Sequence, residues 1–453
     1  MMTGCLKKAV FLLLIAVSSQ QLKAQDVLDN YIKEAIRNNI VLKQKRVSYQ
    51  KAIYSLKTAN TLFLPSVSFN LDYTSGEGGR AIDIPVSKML NPVYSTLNQL
   101  TNSNSFPTLN DMHMDFFPHN QYDAKVRTVM PVLNTDLIYN KEIEEQQVSI
   151  RNNEVDLYSK DLIKEVKNAY YNYLSALTAE KIYATSLNLA NEGKRTNEAL
   201  LKNGNGLPVY VLRAESEIQS INSKIKEAQN NTKMAKRYFN FLLNRNEEEN
   251  INAAYTDTVT LAATNIDTAG STADREEIKS LNTAIGINKS VLAMNENYWV
   301  PKINAFADFG VQDELWNWKK QSKYYLVGLQ LEMPVFEFFR SEYKTAQAEL
   351  ELNTAELDLQ NVRALLKMKT KNAYEDVELA RENYKTAVKQ FETAKAYYSL
   401  IEKGYKQGQN TFIETVDART QYTQAELLVN VNRYKTLIAI ANFERETGSN
   451  HIK

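Results

Sequence analysis

Phe63-Leu64-Pro65-Ser66-Val67-Ser68-Phe69-Asn70-Leu71-Asp72-Tyr73 is the stretch on which the fold turns. Past Pro65 the residues alternate. Val67, Phe69, Leu71 and Tyr73 share one face of a strand, and Ser66, Ser68, Asn70 and Asp72 share the other. The stretch has a counterpart in Trp299-Val300-Pro301-Lys302-Ile303-Asn304-Ala305-Phe306-Ala307-Asp308-Phe309. Two more matches follow in the same order. Met130-Pro131-Val132-Leu133 pairs with Met333-Pro334-Val335-Phe336, and Gly204 through Ala214 pairs with Gly408 through Ala418. Matches that keep their order predict an internal two-fold repeat.

Each repeat reads helix, strand, loop, strand, long helix, turn, long helix. The first occupies 25–243, with strands at 65–74 and 122–131 and long helices at 134–203 and 208–243. The second occupies 274–446, with strands at 301–311 and 324–334 and long helices at 341–403 and 411–446. An Asn-, Asp-, Thr- and Ala-rich segment, 244–273, joins them, and 447–453 is a tail. The first helix is expected from about Val27 to Leu62. It stops there because Pro65 pushes the residue before it towards extended geometry. Between the first two strands lies 75–121, rich in Asn, Ser, Thr and Pro. An ordinary long surface loop is expected there, with a structured cap or partner-binding loop as the alternative.

Composition excludes several classes. Lys+Arg number 54 against 53 Asp+Glu, so no excess positive charge is available to attract nucleic acid. A mean hydropathy of -0.43 is incompatible with a bundle of apolar transmembrane helices. The 26 Tyr and 16 Phe are too many for a disordered chain. Only 14 Gly and 9 Pro punctuate 453 residues, so elements should be long. From Thr135 to Asn203 there is no proline, and the only glycine is Gly193; from Ser341 to Lys403 there is neither. Such helices reach roughly 100 Å. Their stripes of small and apolar residues, such as Ala169, Tyr173, Ala176 and Leu177, are the seams of coiled-coil packing rather than cofactor sites.

Residues 1–24 have the layout of a secretory signal peptide: Lys7 and Lys8, an apolar run from Ala9 to Val17, and Ala24 before Gln25. An uncleaved anchor is the alternative. Cys5, the sole cysteine, would leave with the signal, so neither disulfides nor thiolate metal sites are expected. No metal-ligand spacing links His113, His119 and His451, and neither a phosphate loop nor a nucleophile elbow is present. No catalytic residue, cofactor or metal is therefore expected.

The alternating segments are close to the roughly 9–11 residues that cross a bilayer as a tilted strand. Aromatic residues gather at their ends: Phe63, Trp299, Trp316, Trp318, Phe336, Phe338 and Phe339. Rings at the interfaces are a mark of membrane barrels. A soluble sheet packed on one face is the competing reading. Four strands cannot close a barrel, so spanning strands would require several protomers to share one.

The sequence resembles the TolC-like outer-membrane efflux and secretion factors along nearly the whole mature chain. The resemblance is carried by Leu64-Pro65 and Val300-Pro301 where strands begin, by Met130-Pro131-Val132 and Met333-Pro334-Val335 where they end, and by the Gly204 and Gly408 turns. It implies an α+β membrane protein. Four strands from each chain of a homotrimer would build a 12-stranded barrel in outer-membrane lipid, continuous with a coiled-coil α-helical barrel across the periplasm. Residues 244–273 would join an equatorial girdle. It implies as partners a periplasmic adaptor and an inner-membrane transporter of RND, ABC or MFS type. It also implies that Glu414 and Asp417, on one face of the last helix, form an acidic ring at the periplasmic entrance. Tyr405 matches a tyrosine of the family's closed gate, while Asn410 stands in place of its arginine and Tyr210 in place of its acidic partner. From spacing alone Glu414 and Asp417 read as solvated acids. The function expected is a passive exit duct of a tripartite efflux pump or type I secretion system. A secreted coiled-coil scaffold is the reading from a different class.

Overall fold

The computed structural model describes residues 27–115, 120–254, 275–314 and 320–449. The signal-like segment, Trp316, Trp318, most of 244–273 and the end of the tail lie outside them. Two compact units divide the chain. One comprises Tyr54–Glu145 and Lys289–Glu349; the other comprises the described parts of Met1–Ile53, Gln146–Asn288 and Leu350–Lys453.

Among the described residues the helices are, in chain order, α1 (27–38), α2 (Ile40–Thr61), α3 (Val86–Thr101), α4 (Thr135–Lys202), α5 (Pro208–Leu243), α6 (Glu276–Glu296), α7 (Arg340–Lys406) and α8 (Phe412–Thr447). The strands are β1 (Ser66–Thr74), β2 (Ala81–Ile84), β3 (Met112–Asp115), β4 (Gln121–Leu133), β5 (Lys302–Glu314) and β6 (Lys323–Glu332). Proline-free runs do become long helices: α4 has 68 residues and α7 has 67.

In the strand-bearing unit, β1, β4, β5 and β6 form one antiparallel sheet in that order, with β1 and β6 as its edges. Register aligns Phe69, Val126, Phe309 and Tyr325 in one row. These belong to the apolar face, which is open: Phe69, Phe309, Tyr325 and Leu329 are 68, 60, 76 and 72% exposed. The opposite face is polar and carries its own ion pairs. Tyr324 donates to Asp123 at 2.6 Å, Lys125 Nζ lies 2.6 Å from the same carboxylate, and Arg127 faces Asp308 at 3.5 Å. Strand direction puts Phe63, Trp299, Phe336, Phe338 and Phe339 at one end of the sheet. Phe338 and Phe339 take left-handed φ values of 48° and 62°, a conformation that costs a bulky residue about 1–2 kcal/mol.

The 75–121 segment is not an ordinary loop. It holds α3 between β2 and β3, which pair antiparallel. Asparagine side chains stand in for a backbone ladder. Asn91 accepts from Leu109 N at 2.8 Å and donates to Leu109 O at 2.9 Å; Asn98 does the same with Phe106, at 3.0 and 2.8 Å. Asp111 accepts from Ser87 N at 3.0 Å in the first turn of α3. These polar bonds explain how so hydrophilic a segment folds.

The helical unit has a core of Leu28, Ile32, Leu162, Val166, Tyr170, Phe239 and Leu437. Tyr31 meets Phe239 edge-on with centroids 5.1 Å apart, an arrangement suited to the ring quadrupoles. The single helix expected over 27–62 is in fact two. Buried Asn39 interrupts it, accepting from Leu42 N at 3.1 Å as the cap of α2 and donating to Leu242 O at 3.0 Å.

A charge network fixes the start of α6. Arg445, 4% exposed, donates to Asp161 at 2.7 Å and to Glu277 at 3.0 Å, while Arg275 reaches Glu277 at 2.7 Å. Burial would raise the Glu277 carboxyl, but the Arg275 hydrogen bond, its own helix-start amide and the charges of Arg275 and Arg445 prevail and hold it at about 2. A carboxyl lowered on folding stabilises the native state above its unfolded value, and the gain is lost as pH falls from about 4.5 towards 2. Glu277→Gln should therefore lower stability at pH 7 by on the order of 2 kcal/mol. Acid and thermal melts followed by helical circular dichroism should show variant and wild type converging near pH 2. A constant gap across that range would refute the assignment.

Candidate functional site

Two helix-to-helix turns, α4 to α5 and α7 to α8, share one backbone design. Gly204 and Gly408 follow the helices at φ +74° and +76°, a region open to glycine without strain. Gly204 N donates to Leu201 O at 3.1 Å and Asn205 N to Leu200 O at 2.9 Å. Gly408 N donates to Tyr405 O at 3.0 Å and Gln409 N to Gly404 O at 2.8 Å. The carbonyls at each helix end are thus satisfied in the same way.

The helices then begin differently. Pro208 opens α5 behind an extended Leu207 with no side-chain cap. Thr411 opens α8 with a full capping box: its hydroxyl accepts from Glu414 N at 3.2 Å, and the Glu414 carboxylate accepts from Thr411 N at 2.6 Å. That carboxylate also takes Thr411 Oγ1 at 3.0 Å and Asn410 Nδ2 at 3.3 Å. The Thr411 amide, then the two side-chain donors, hold the exposed Glu414 carboxyl below its ordinary range. Asp417 is exposed one turn on.

Phe412, 1% exposed, knits the turns together. Its ring lies 5.7 Å from Tyr210 and 5.9 Å from Tyr405, over Ala214 and Val416. Tyr405 donates to Asn197 Oδ1 at 2.9 Å, and Asn197 donates to Gly193 O at 2.9 Å. Burial raises the Tyr405 hydroxyl, so it remains a neutral donor. Of the residues expected here, Gly204, Gly408, Tyr405, Tyr210, Asn410 and Glu414 surround the paired turns. Asn410 binds Glu414 on its own helix start rather than another helix.

Sequence reading missed Arg419. It is 2% exposed and grips Glu217 of α5 with two bonds, the Nε–Oε1 one at 2.9 Å, while Nη1 donates to Leu189 O of α4 at 3.0 Å. Its guanidinium occupies the space beside Gly193, where a Cβ would lie 3.1 Å from Nη1. The lone glycine of the long α4 run was the available signal. Leu207, Val209, Leu212 and Ile413 remain exposed around the turns. Among the described residues no His, Cys, Asp or Glu group could hold a metal, and no helix is long and apolar enough to cross a membrane.

Residues 293–449 match the family model described as outer membrane efflux protein. The fold is similar to the outer-membrane channel OprN, with a TM-score of 0.77 at 16% identity, covering 95% of this chain and 92% of that one. It is also similar to the Campylobacter jejuni CmeC outer membrane channel, at TM-score 0.76 and 16% identity over 93% and 86%. The open state of the Neisseria gonorrhoeae MtrE outer membrane channel gives 0.73 and 16% over 93% and 89%. No curated protein matches the chain in sequence. Residues 293–449 are thus similar in sequence to outer membrane efflux proteins, and the fold of the whole chain is similar to that of outer-membrane channels.

Proposed function

We propose that three copies of this chain form a passive exit duct in the outer membrane, part of a tripartite efflux pump or type I secretion system. The observation that carries the reading is the sheet: two open edges, one exposed apolar face, and one polar face with hydrogen bonds and ion pairs of its own. In lipid an open edge is prohibitively costly, so β6 of one copy pairs with β1 of the next and three copies close a 12-stranded barrel. The apolar face meets lipid and the polar face lines the lumen. The aromatic residues at the sheet end, Phe63, Trp299, Phe336, Phe338 and Phe339, sit at the membrane interface. The two halves of the chain are repeats, and the long helices of the copies together make the periplasmic barrel.

Transport needs no reaction by the chain itself; an inner-membrane transporter supplies the energy. The paired turns form the periplasmic gate, and the exposed Leu207, Val209, Leu212 and Ile413 offer apolar contacts to an adaptor. Cross-linked chain in mild detergent should run as a trimer and should stay in outer membranes through carbonate extraction. A monomer that washes off would favour the secreted scaffold instead.

Glu414 and Asp417 supply the acidic ring, repeated by the three-fold axis and able to concentrate cations in a narrow pore. Because Glu414 caps α8, Glu414→Gln keeps a capping side chain while removing charge. Combined with Asp417→Asn, it should weaken divalent-cation block of single channels in planar bilayers at least several-fold; unchanged block would sink the ring.

Closure rests on a neutral hydrogen bond in place of a charged lock. Tyr405→Phe leaves the buried Asn197 Oδ1 without its donor, at a cost of about 1–3 kcal/mol to the closed tip. More frequent openings in bilayer recordings are expected, and a conductance trace identical to wild type would show that the bond plays no part in gating.

A further inference from the structure

The 75–121 segment contains a cavity that the duct reading does not use. It lies between the second half of α3 and residues 102–108 and has a volume of about 600 Å³. The lining is amides, hydroxyls and two rings, with no charged side chain. Tyr94 and Phe106 are the rings, their centroids 5.6 Å apart. The frame is rigid. Asn91 and Asn98 spend both ends of their amides on the backbone of Leu109 and Phe106, and Asn102 closes α3 in a left-handed conformation with its backbone N–H returned to Gln99 O. By contrast Ser95, Gln99, Asn104 and Thr108 line the cavity exposed, and no side-chain hydrogen bond engages them.

We propose that this cavity binds a neutral saccharide. Vicinal sugar hydroxyls both donate and accept, and so do the amides and hydroxyls waiting here. The C–H face of a pyranose packs on an aromatic ring, whose face is electron-rich. Other ligand classes fit poorly. An anion needs Arg, Lys or a helix N-terminus, whereas the cavity lies towards the C-terminal, partially negative end of α3. A hard metal ion needs carboxylate oxygens, and none lines the site. The volume suits one or two sugar rings. Preorganisation by the two clamped asparagines lowers the ordering cost that otherwise weakens polar, solvent-exposed sites.

The sugar could come from the cell's own lipopolysaccharide or from outside, and the test separates these. Full-length chain in nanodiscs is titrated with neutral O-chain oligosaccharide from the producing cell in one arm. The other arm uses cellobiose, maltotriose and mannobiose, with sialyllactose as the charged control. Saturation-transfer NMR should show saturable transfer to a neutral sugar in at least one arm, and at most a tenth of that affinity for sialyllactose. Gln99→Ala with Asn104→Ala should reduce binding at least tenfold. Both side chains are exposed and unbonded, so the fold should persist; Ser95→Ala with Thr108→Ala is the second variant should it not. Absence of saturable transfer from every neutral sugar, equal binding of sialyllactose, or binding indifferent to both double variants would overturn the proposal.

Discussion

Backbone hydrogen bonding is the constraint on which the rest depends. Four antiparallel strands leave two rows of amides and carbonyls without strand partners, at β1 and β6. In water such edges invite aggregation; in hydrocarbon each unpaired group costs several kcal/mol. The side chains point to the same demand. On the polar face Tyr324, Lys125, Asp123, Arg127 and Asp308 answer one another within the chain, whereas the face of Phe69, Phe309 and Tyr325 has nothing to cover it. A sheet with polar partners on one side, an uncovered apolar face on the other and two open edges is the physical basis of the proposed completion by copies of itself and by lipid.

The turns distribute strength unevenly. Arg419 joins α8 to α5 through Glu217 and to α4 through the Leu189 carbonyl, all out of water. Breaking such a buried pair costs about 3–5 kcal/mol because a charge is stranded. Near its end α7 is held by a neutral hydrogen bond, Tyr405 to Asn197, and by ring contacts with Phe412; further up, Tyr398 hydrogen-bonds to Arg419 and stacks on Tyr422. A neutral bond nets roughly 1 kcal/mol. Arg419 thus ties α8 to α5 and α4 and, through Tyr398, to α7 as well, while the Tyr405–Asn197 bond lies nearer the turn.

Much of this was legible in the sequence. Alternation around Val67, Phe69, Leu71 and Tyr73 marked a two-faced strand, scarcity of Gly and Pro marked the long helices, and Gly204 and Gly408 marked the turns. The misses have physical causes. Asn39 divides the helix by capping Leu42 N locally while its amide nitrogen donates to Leu242 O, 203 residues away, and that second partner has no local pattern. The fold of 75–121 depends on Asn91 and Asn98 imitating a strand, in a composition that reads as loop. Arg419 sits on α8 among exposed charges in sequence, and only Gly193 on α4 makes room for it.

Glu414 shows how one residue can answer two descriptions. Thr411-x-x-Glu414 is a capping-box signature in plain sight, yet family resemblance draws attention to its charge instead. The structure gives the carboxylate three donors at the start of α8: the Thr411 amide, the Thr411 hydroxyl and the Asn410 amide. All three donors fall on one oxygen, Oε2, and none of them on Oε1. Asp417 has no such bonds and stays exposed. Glu414 therefore holds the start of α8 through one oxygen while its charge stays exposed, and in the proposed ring it would act beside Asp417 rather than behind it. Asn410 acts locally: its side chain bonds Glu414 on its own turn, and the helices are joined by Tyr405 with Asn197 and by Arg419 with Glu217.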